Sequence, residues 1–347
     1  MTTIELLKSI GYLNGEGSLS FESSVESQKL YELARVNKVA SLYVKSLKDR
    51  NQITSLDNEW AGRRQFHEDY QQTLKVIDED FPSAVNYAVV KSTHSFWFDS
   101  KDIDIVLFDD SLTSVTQKLS RQGYELIGTS PTSADLRHPE TGIQIDIQDE
   151  FSLQKLVYLD KTSLRQFVEP LSIGTATVPV VSMPGDLALI VIHSITEQLF
   201  ILKEFYAAIH ALETFSEQQF RNFINVVDEN QIGPACGAFF TIVDELCIEA
   251  FDHRPPFITE ILTRYSESGA ERSCLRSKDF KTPHRYTVQT GLETVWRKLW
   301  HKPFAVSLCK QIPRLASPSV SYHILSQLLS RRTREHYMHD DPEPTHQ

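Results

Sequence analysis

The sequence predicts an α/β fold of the α+β kind. A small mixed sheet is flanked by N-terminal helices and followed by a C-terminal helical domain. Strand-like alternation is confined to residues 82–183, most clearly where Ile143, Ile145 and Ile147 alternate with polar neighbours. On either side apolar residues recur at helical spacing, as in Leu30, Leu33, Ala34, Val39, Tyr43 and Leu47. Pro82 stands where a helix must end, and Pro184 where proline favours a helix start. The expected division is an N-terminal helical segment over 1–81, a core over 82–183 and a helical domain over 184–338. The acidic, Pro-rich residues 339–347 are expected to be a disordered tail.

Composition narrows the class. The chain has 347 residues, 41% hydrophobic and 23% charged, an ordinary globular makeup. No apolar run approaches a membrane span, and no signal-peptide core opens the sequence. A cytoplasmic protein with no membrane partner is expected. Cys236, Cys247, Cys274 and Cys309 lack C-x-x-C spacing, which argues against a zinc site or a disulfide framework. The net charge of −11 argues against a general nucleic-acid binder, although basic residues outnumber acidic ones from Glu271 onward.

In chain order, residues 24–48 predict one amphipathic helix. A second runs from a cap at Asp57 to about Asp80, and its Arg63 and Arg64 read as a solvated pair. A short apolar strand over 85–90 leads into Lys91, Ser92 and Thr93, then His94 and the aromatics Phe96, Trp97 and Phe98. Residues 102–108 form the next strand. Asp109 and Asp110 are placed to cap a helix over 112–121 that Gly123 ends. Strands over 124–127, 134–137 and 143–149 follow, the last two joined as a hairpin. The mixed segment 153–181 completes the sheet edge. Residues 187–212 predict one long helix carrying His193, Gln198, Lys203 and Tyr206. The remainder is mainly helical, over 217–230, 234–251, 292–300 and 319–334. Arg272 to Arg285 reads as a flexible loop able to close over a substrate.

The chemistry centres on Asp102-Ile103-Asp104-Ile105. Strand side chains alternate faces, so Asp102 and Asp104 point the same way. Two carboxylates at the start of an apolar strand repel each other and resist desolvation. A bound hard cation such as Mg²⁺ or Mn²⁺ relieves both costs. Asp146 lies on the polar face of the Ile143–Ile147 strand. If that strand neighbours the first, three aspartates converge, a constellation suited to two-metal phosphoryl or nucleotidyl transfer.

Lys91-Ser92, the aromatic loop, Asp102-x-Asp104 and the later Asp146 resemble the polymerase-beta-type nucleotidyltransferase superfamily. Within it, the likeness is to uncharacterised bacterial and archaeal nucleotidyltransferases with a helical C-terminal domain. The resemblance covers about residues 85–149, and more loosely the helix near His193. It implies that Asp102, Asp104 and Asp146 are the catalytic, metal-binding carboxylates for Mg²⁺ or Mn²⁺. It also implies that Lys91, Ser92 and Thr93 cradle the phosphates of a nucleoside triphosphate, with Lys203 from the second domain contacting the nucleotide. Ser92 stands where the family pattern has glycine, and no glycine occurs between Gly62 and Gly123. The implied reaction transfers a nucleoside monophosphate to an acceptor hydroxyl on a small molecule, protein or RNA. Three other readings stay open: the same fold binding a nucleotide or partner without catalysis, an Asp-x-Asp glycosyltransferase, and strand-end aspartates that are merely solvated.

Overall fold

The N-terminal helices are built around local caps and one deliberate break. The computed structural model describes residues 2–13, 24–52, 56–81, 85–91, 99–100, 102–153, 155–173, 176–265, 269–275 and 280–315. Helix α1 (Thr3–Ile10) starts with a capping box in which Thr2 and Glu5 each accept the other's backbone N–H. The single helix expected over 24–48 is instead two, α2 (Ser24–Val36) and α3 (Ala40–Asp49). Lys38 causes the break, since its φ of 54° cannot continue a right-handed helix. Asn37, fully buried, anchors the break. Its amide donates to Leu33 O at 2.9 Å and Thr282 O at 3.2 Å, and its Oδ1 accepts from Leu202 N at 3.3 Å. Helix α4 (Asp57–Asp80) begins after Leu56, so Asp57 is its first residue rather than its cap.

The sheet follows. Its strands are β1 (Tyr87–Val90), β2 (Asp102–Leu107), β3 (Glu125–Thr129), β4 (Ser133–Arg137) and β5 (Gln144–Gln148), with α5 (Leu112–Arg121) after β2. A small hairpin, β6 (Phe151–Leu153) and β7 (Leu156–Leu159), and the short α6 (Lys161–Arg165) lead to β8 (Val168–Ile173) and β9 (Ala176–Val181). Among the described residues the main sheet has the order β3-β4-β5-β2-β1-β9-β8. It is mixed, as expected: β2 runs parallel to β5 and β1 parallel to β9, and the other pairs are antiparallel. The β8–β9 hairpin forms the edge expected from residues 153–181. Asp109 and Asp110 do not cap α5. Ser111 holds the N-cap position, Asp110 accepts Asn86 N at 2.9 Å, and Asp109 pairs with Arg165.

The two faces of the sheet bury different cores. Ile103, Ile105, Ile145 and Ile147 pack against Leu74 and Ile77 of α4 and Leu119 of α5. Each such buried side chain contributes about 1.5–3 kcal/mol. Ala88, Val90 and Val106 face the other way, into a core shared with the N-terminal helices and the later helical layer.

That later layer comprises α7 (Met183–Thr196), β10 (Leu199–Phe200), α8 (Leu202–Thr214), α9 (Glu217–Glu229), α10 (Gly233–Phe251), α11 (Ile258–Tyr265), α12 (Gly269–Leu275), β11 (His284–Arg285), α13 (Val288–Lys298) and α14 (Lys302–Leu315). The long helix expected over 187–212 is broken at Gln198, φ 55°, and the interruption forms β10, which pairs with β11. The described parts of the expected flexible loop over 272–285 are packed. Fully buried Glu271 accepts hydrogen bonds from His284 Nε2 at 2.7 Å, Thr287 N at 2.7 Å and Thr290 Oγ1 at 2.9 Å. Residues 276–279, the helix expected over 319–334 and the tail 339–347 lie outside the described residues. No described helix is long and apolar enough to cross a membrane.

Candidate functional site

Strand register assembles the acidic side of the site. Asp104 lies opposite Asp146 on β5, and Asp146 lies opposite Asp135 on β4. The three form a row across adjacent strands, which run about 4.8 Å apart. Asp102 sits two residues earlier than Asp104, on the same face. Ser100 Oγ fixes this approach by donating to Asp102 O at 3.0 Å. One residue further back, Asp99 is buried. It accepts Arg63 Nη1 at 2.9 Å and Ser41 N at 3.1 Å, tying the start of β2 to α3 and α4. Arg63 is therefore a buried structural cation and not half of a solvated pair; Arg64 alone is exposed.

Asp135 was not singled out by the sequence. Its only signal there is its place between Ala134 and Leu136, which face the core. Register, which a single strand's pattern does not contain, is what brings it to Asp146.

Electrostatics follow from this crowding. Burial pushes the Asp104 carboxyl up, and the nearby Asp102 adds to the shift while Lys91 opposes it. Burial, then Asp104, raises Asp146 to about 7. Asp135 is raised by burial and by Asp102 and Asp104. Asp146 Oδ1 is buried with no hydrogen-bond partner among the described residues, whereas its Oδ2 accepts from Gln148.

Lys91 answers part of this negative charge. Its Nζ lies 2.9 Å from Asp104 Oδ1, with both side chains nearly buried. Burial works against its ammonium, but Asp104, Tyr158 and Asp102 together outweigh that cost and hold its pKa above the ordinary lysine value. The backbone of Lys91 is left-handed, φ 56°, and its N–H donates to the buried carboxylate of Asp186 in the first turn of α7. The turn therefore takes its unusual conformation at Lys91, with Asp186 as the restraint. Ser92 and Thr93, together with His94, Phe96, Trp97 and Phe98, lie outside the described residues.

A cleft of about 300 Å³ separates these carboxylates from the helical layer. Lys38, His193 and Lys203 line it as well, together with Glu197, Glu204, Ile190 and Ile201. The break at Gln198 is what lets His193 and Lys203 share the cleft. On one continuous helix they would fall on different stripes. Tyr206 does not join them: it is buried, and its hydroxyl donates to Gly11 O at 3.0 Å. Burial, then Lys38, lowers Lys203 to about 8. Burial, then the nearby lysines, pushes His193 well below its ordinary value, and its Nδ1 is buried without a hydrogen-bond partner among the described residues.

As they stand, no three His, Cys, Asp or Glu side chains among the described residues are gathered about a single point as a finished metal cage. The donor chemistry nevertheless fits a hard divalent cation. The donors are carboxylate oxygens, they repel one another, and Asp146 Oδ1 has no other partner among the described residues. The cleft thus pairs an acidic wall with a basic one, an arrangement able to hold a cation and a phosphorylated ligand together.

No protein-family model matches the chain, and no curated protein matches it. Among solved structures, it is similar to an antigenic nucleotidyltransferase-like protein from Paracoccidioides brasiliensis. The identity is 16% over 47% of this chain and 88% of that one, with a TM-score of 0.32. It is also similar to a STING-associated CdnE c-di-GMP synthase from Capnocytophaga granulosa. There the identity is 14% over 84% of this chain and 98% of that one, with a TM-score of 0.28. At that level of likeness neither bears on what this chain does.

Proposed function

We propose that the protein is a metal-dependent nucleotidyltransferase that moves a nucleoside monophosphate from a nucleoside triphosphate to an acceptor hydroxyl. The observation that carries this reading is the row of carboxylates on β2 and β5 facing lysines across one cleft. In the reaction the acceptor oxygen bonds to the α-phosphorus and the bond to pyrophosphate breaks. Asp102, Asp104 and Asp146 would hold Mg²⁺ or Mn²⁺, which supplies Lewis acidity at the phosphate oxygens and offsets the charge that develops there. Lys91, whose N–H donates to Asp186 and whose ammonium sits on Asp104, would meet the phosphates on leaving Asp104. Ser92 and Thr93 follow it in sequence and are assigned to the same cradle on the resemblance alone. Lys203 meets the triphosphate from the helical side. Holding donor and acceptor in line and stabilising the charge that develops together supply the rate enhancement such a site gives.

One observation favours a second reading. The Lys91 ammonium already sits on Asp104, so the site carries a built-in cation. A protein that binds nucleotide without transferring it is consistent with that contact.

Transfer of α-labelled nucleotide to protein, RNA and small-molecule pools, with Mg²⁺ or Mn²⁺ present, separates the two. Wild-type protein is expected to label an acceptor, and Asp104→Asn to lose both transfer and metal-dependent nucleotide binding. Lys91→Ala is expected to lower transfer roughly tenfold to a hundredfold, the value of one charge-assisted phosphate contact. Binding without any labelling would favour the silent reading. Unchanged Mg-nucleotide affinity in Asp104→Asn would refute the carboxylate assignment altogether.

A further inference from the structure

Helix α13 is built inside out. The side chains it turns into the protein are Thr290, Thr294 and Lys298, one stripe at four-residue spacing and all buried. Each finds a polar partner there. Thr290 Oγ1 donates to Glu271 Oε1 at 2.9 Å, Thr294 Oγ1 to Thr290 O at 2.9 Å, and Lys298 Nζ to Asn230 O at 2.8 Å. The opposite side carries Val288, Leu292, Val295 and Trp296, and Leu299 and Trp300 continue it past the helix end. All six are exposed, Trp296 by 66% and Trp300 by 77%. An ordinary surface helix has the reverse arrangement, with its apolar stripe toward the core.

The exposed face is continuous. Residues 288, 292, 295 and 299 recur at alternating steps of four and three, the spacing of a seam between paired helices. A groove of about 630 Å³ runs along it, bounded by Pro234 at the start of α10. A buried indole removes about 150–250 Å² from water. The six side chains together therefore offer on the order of 500 Å², a patch at the upper end of what a monomer leaves open. Two copies burying it against each other would remove roughly 1,000 Å² in all, enough for a specific interface.

The rim favours a second copy of the chain. Glu293 and Arg297, both exposed, border the groove and stand two residues to either side of Val295. Glu293 is oriented by Gln289 Nε2, which donates to it at 2.8 Å. In an antiparallel pair of α13 helices centred on Val295, Glu293 of each copy comes opposite Arg297 of the other. A twofold contact requires such a self-complementary patch.

We propose that the chain forms a twofold dimer through the exposed face of α13, with Trp296 and Trp300 as its buried anchors and crossed Glu293–Arg297 pairs setting the antiparallel register. This surface shares no lining residue with the cleft that holds the carboxylates, so it stands whether or not the protein transfers a nucleotide.

Sedimentation velocity of the full chain over a concentration series tests the dimer. Wild-type protein is expected to pass from monomer to dimer through the micromolar range. Trp296→Ser should weaken association about thirtyfold or more, the effect of removing an anchoring aromatic. Because Trp296 faces solvent in the single chain, the variant should keep the wild-type circular dichroism spectrum. Glu293→Arg should weaken association several-fold, and adding Arg297→Glu to it should restore the loss. Amides of α13, open in the single chain, should slow in exchange as the dimer forms. A chain that stays monomeric at hundreds of micromolar overturns the proposal, with residues 316–347 of the same chain then the cover to test. A dimer unmoved by Trp296→Ser, or a charge-swapped double variant that regains nothing, overturns it as well.

Discussion

Asp146 combines two roles that pull in opposite directions, since the charge that would attract a cation is a burden to the fold without one. Its carboxyl titrates near 7 in the folded chain, against about 3.9 in an unfolded one. Between those values the folded protein binds more protons than the unfolded chain. Stability is therefore expected to fall as pH rises through that window, with the full cost present above pH 7. Asp146→Asn should be more stable than wild type at pH 8 without divalent ions, by on the order of 2 kcal/mol. The advantage should shrink towards pH 4. Urea unfolding at both pH values checks this, and a gain that does not change with pH would count against electrostatic crowding as its cause. At this scale the sequence was readable where chemistry lies within one strand. Period-two alternation placed Asp102 and Asp104 on one face and Asp146 on the polar side of its strand. It did not reach Asp135, whose partner is chosen by β4–β5 register, or Lys38, whose neighbour Asn37 is held by Leu202 and Thr282.

Elements were legible wherever local pattern and tertiary packing agree. Helix α5 spans Leu112–Arg121 as its periodicity requires, and Gly123 follows it at φ 100°. The two long helices that proved to be broken show where pattern and packing part. Lys38 and Gln198 both adopt positive φ, and neither is a glycine or next to a proline. The apolar spacing runs on through each break, so nothing local marks it. Tertiary hydrogen bonds override propensity at Asn37. Asn37→Ala should accordingly destabilise the protein by about 1–3 kcal/mol, because it leaves buried backbone groups unpaired. Chemical denaturation measures the loss, and a change below about 0.5 kcal/mol, the usual range for a surface substitution, would show that the tie is idle.

Across the whole molecule, one sheet separates two cores, and the carboxylates stand on the face shared with the helical layers. Strands with both faces covered should open last. Native-state hydrogen exchange is expected to find the slowest amides in β1, β2 and β5 and in the buried helices α7 and α10. Those of α13, which turns Val288, Leu292 and Trp296 to solvent, should exchange sooner. Sheet amides exchanging faster than those of α13 would contradict this layering. The Asn37 tie also has a consequence in time. Its amide donates to the carbonyl of Thr282, whose own N–H donates to Thr3 Oγ1 at 2.9 Å. A chain emerging from the ribosome has Asp102, Asp104, Asp135 and Asp146 once residue 146 is made, but the amides that tie Asn37 to α8 arrive with residues 202 and 203 and the carbonyl that completes its bonds only with residue 282. At ordinary synthesis rates that last bond comes on the order of ten seconds later. Through that interval the nascent protein carries its acidic wall before the basic wall opposite it is fully fastened, so its birth order runs acidic side first, basic side last.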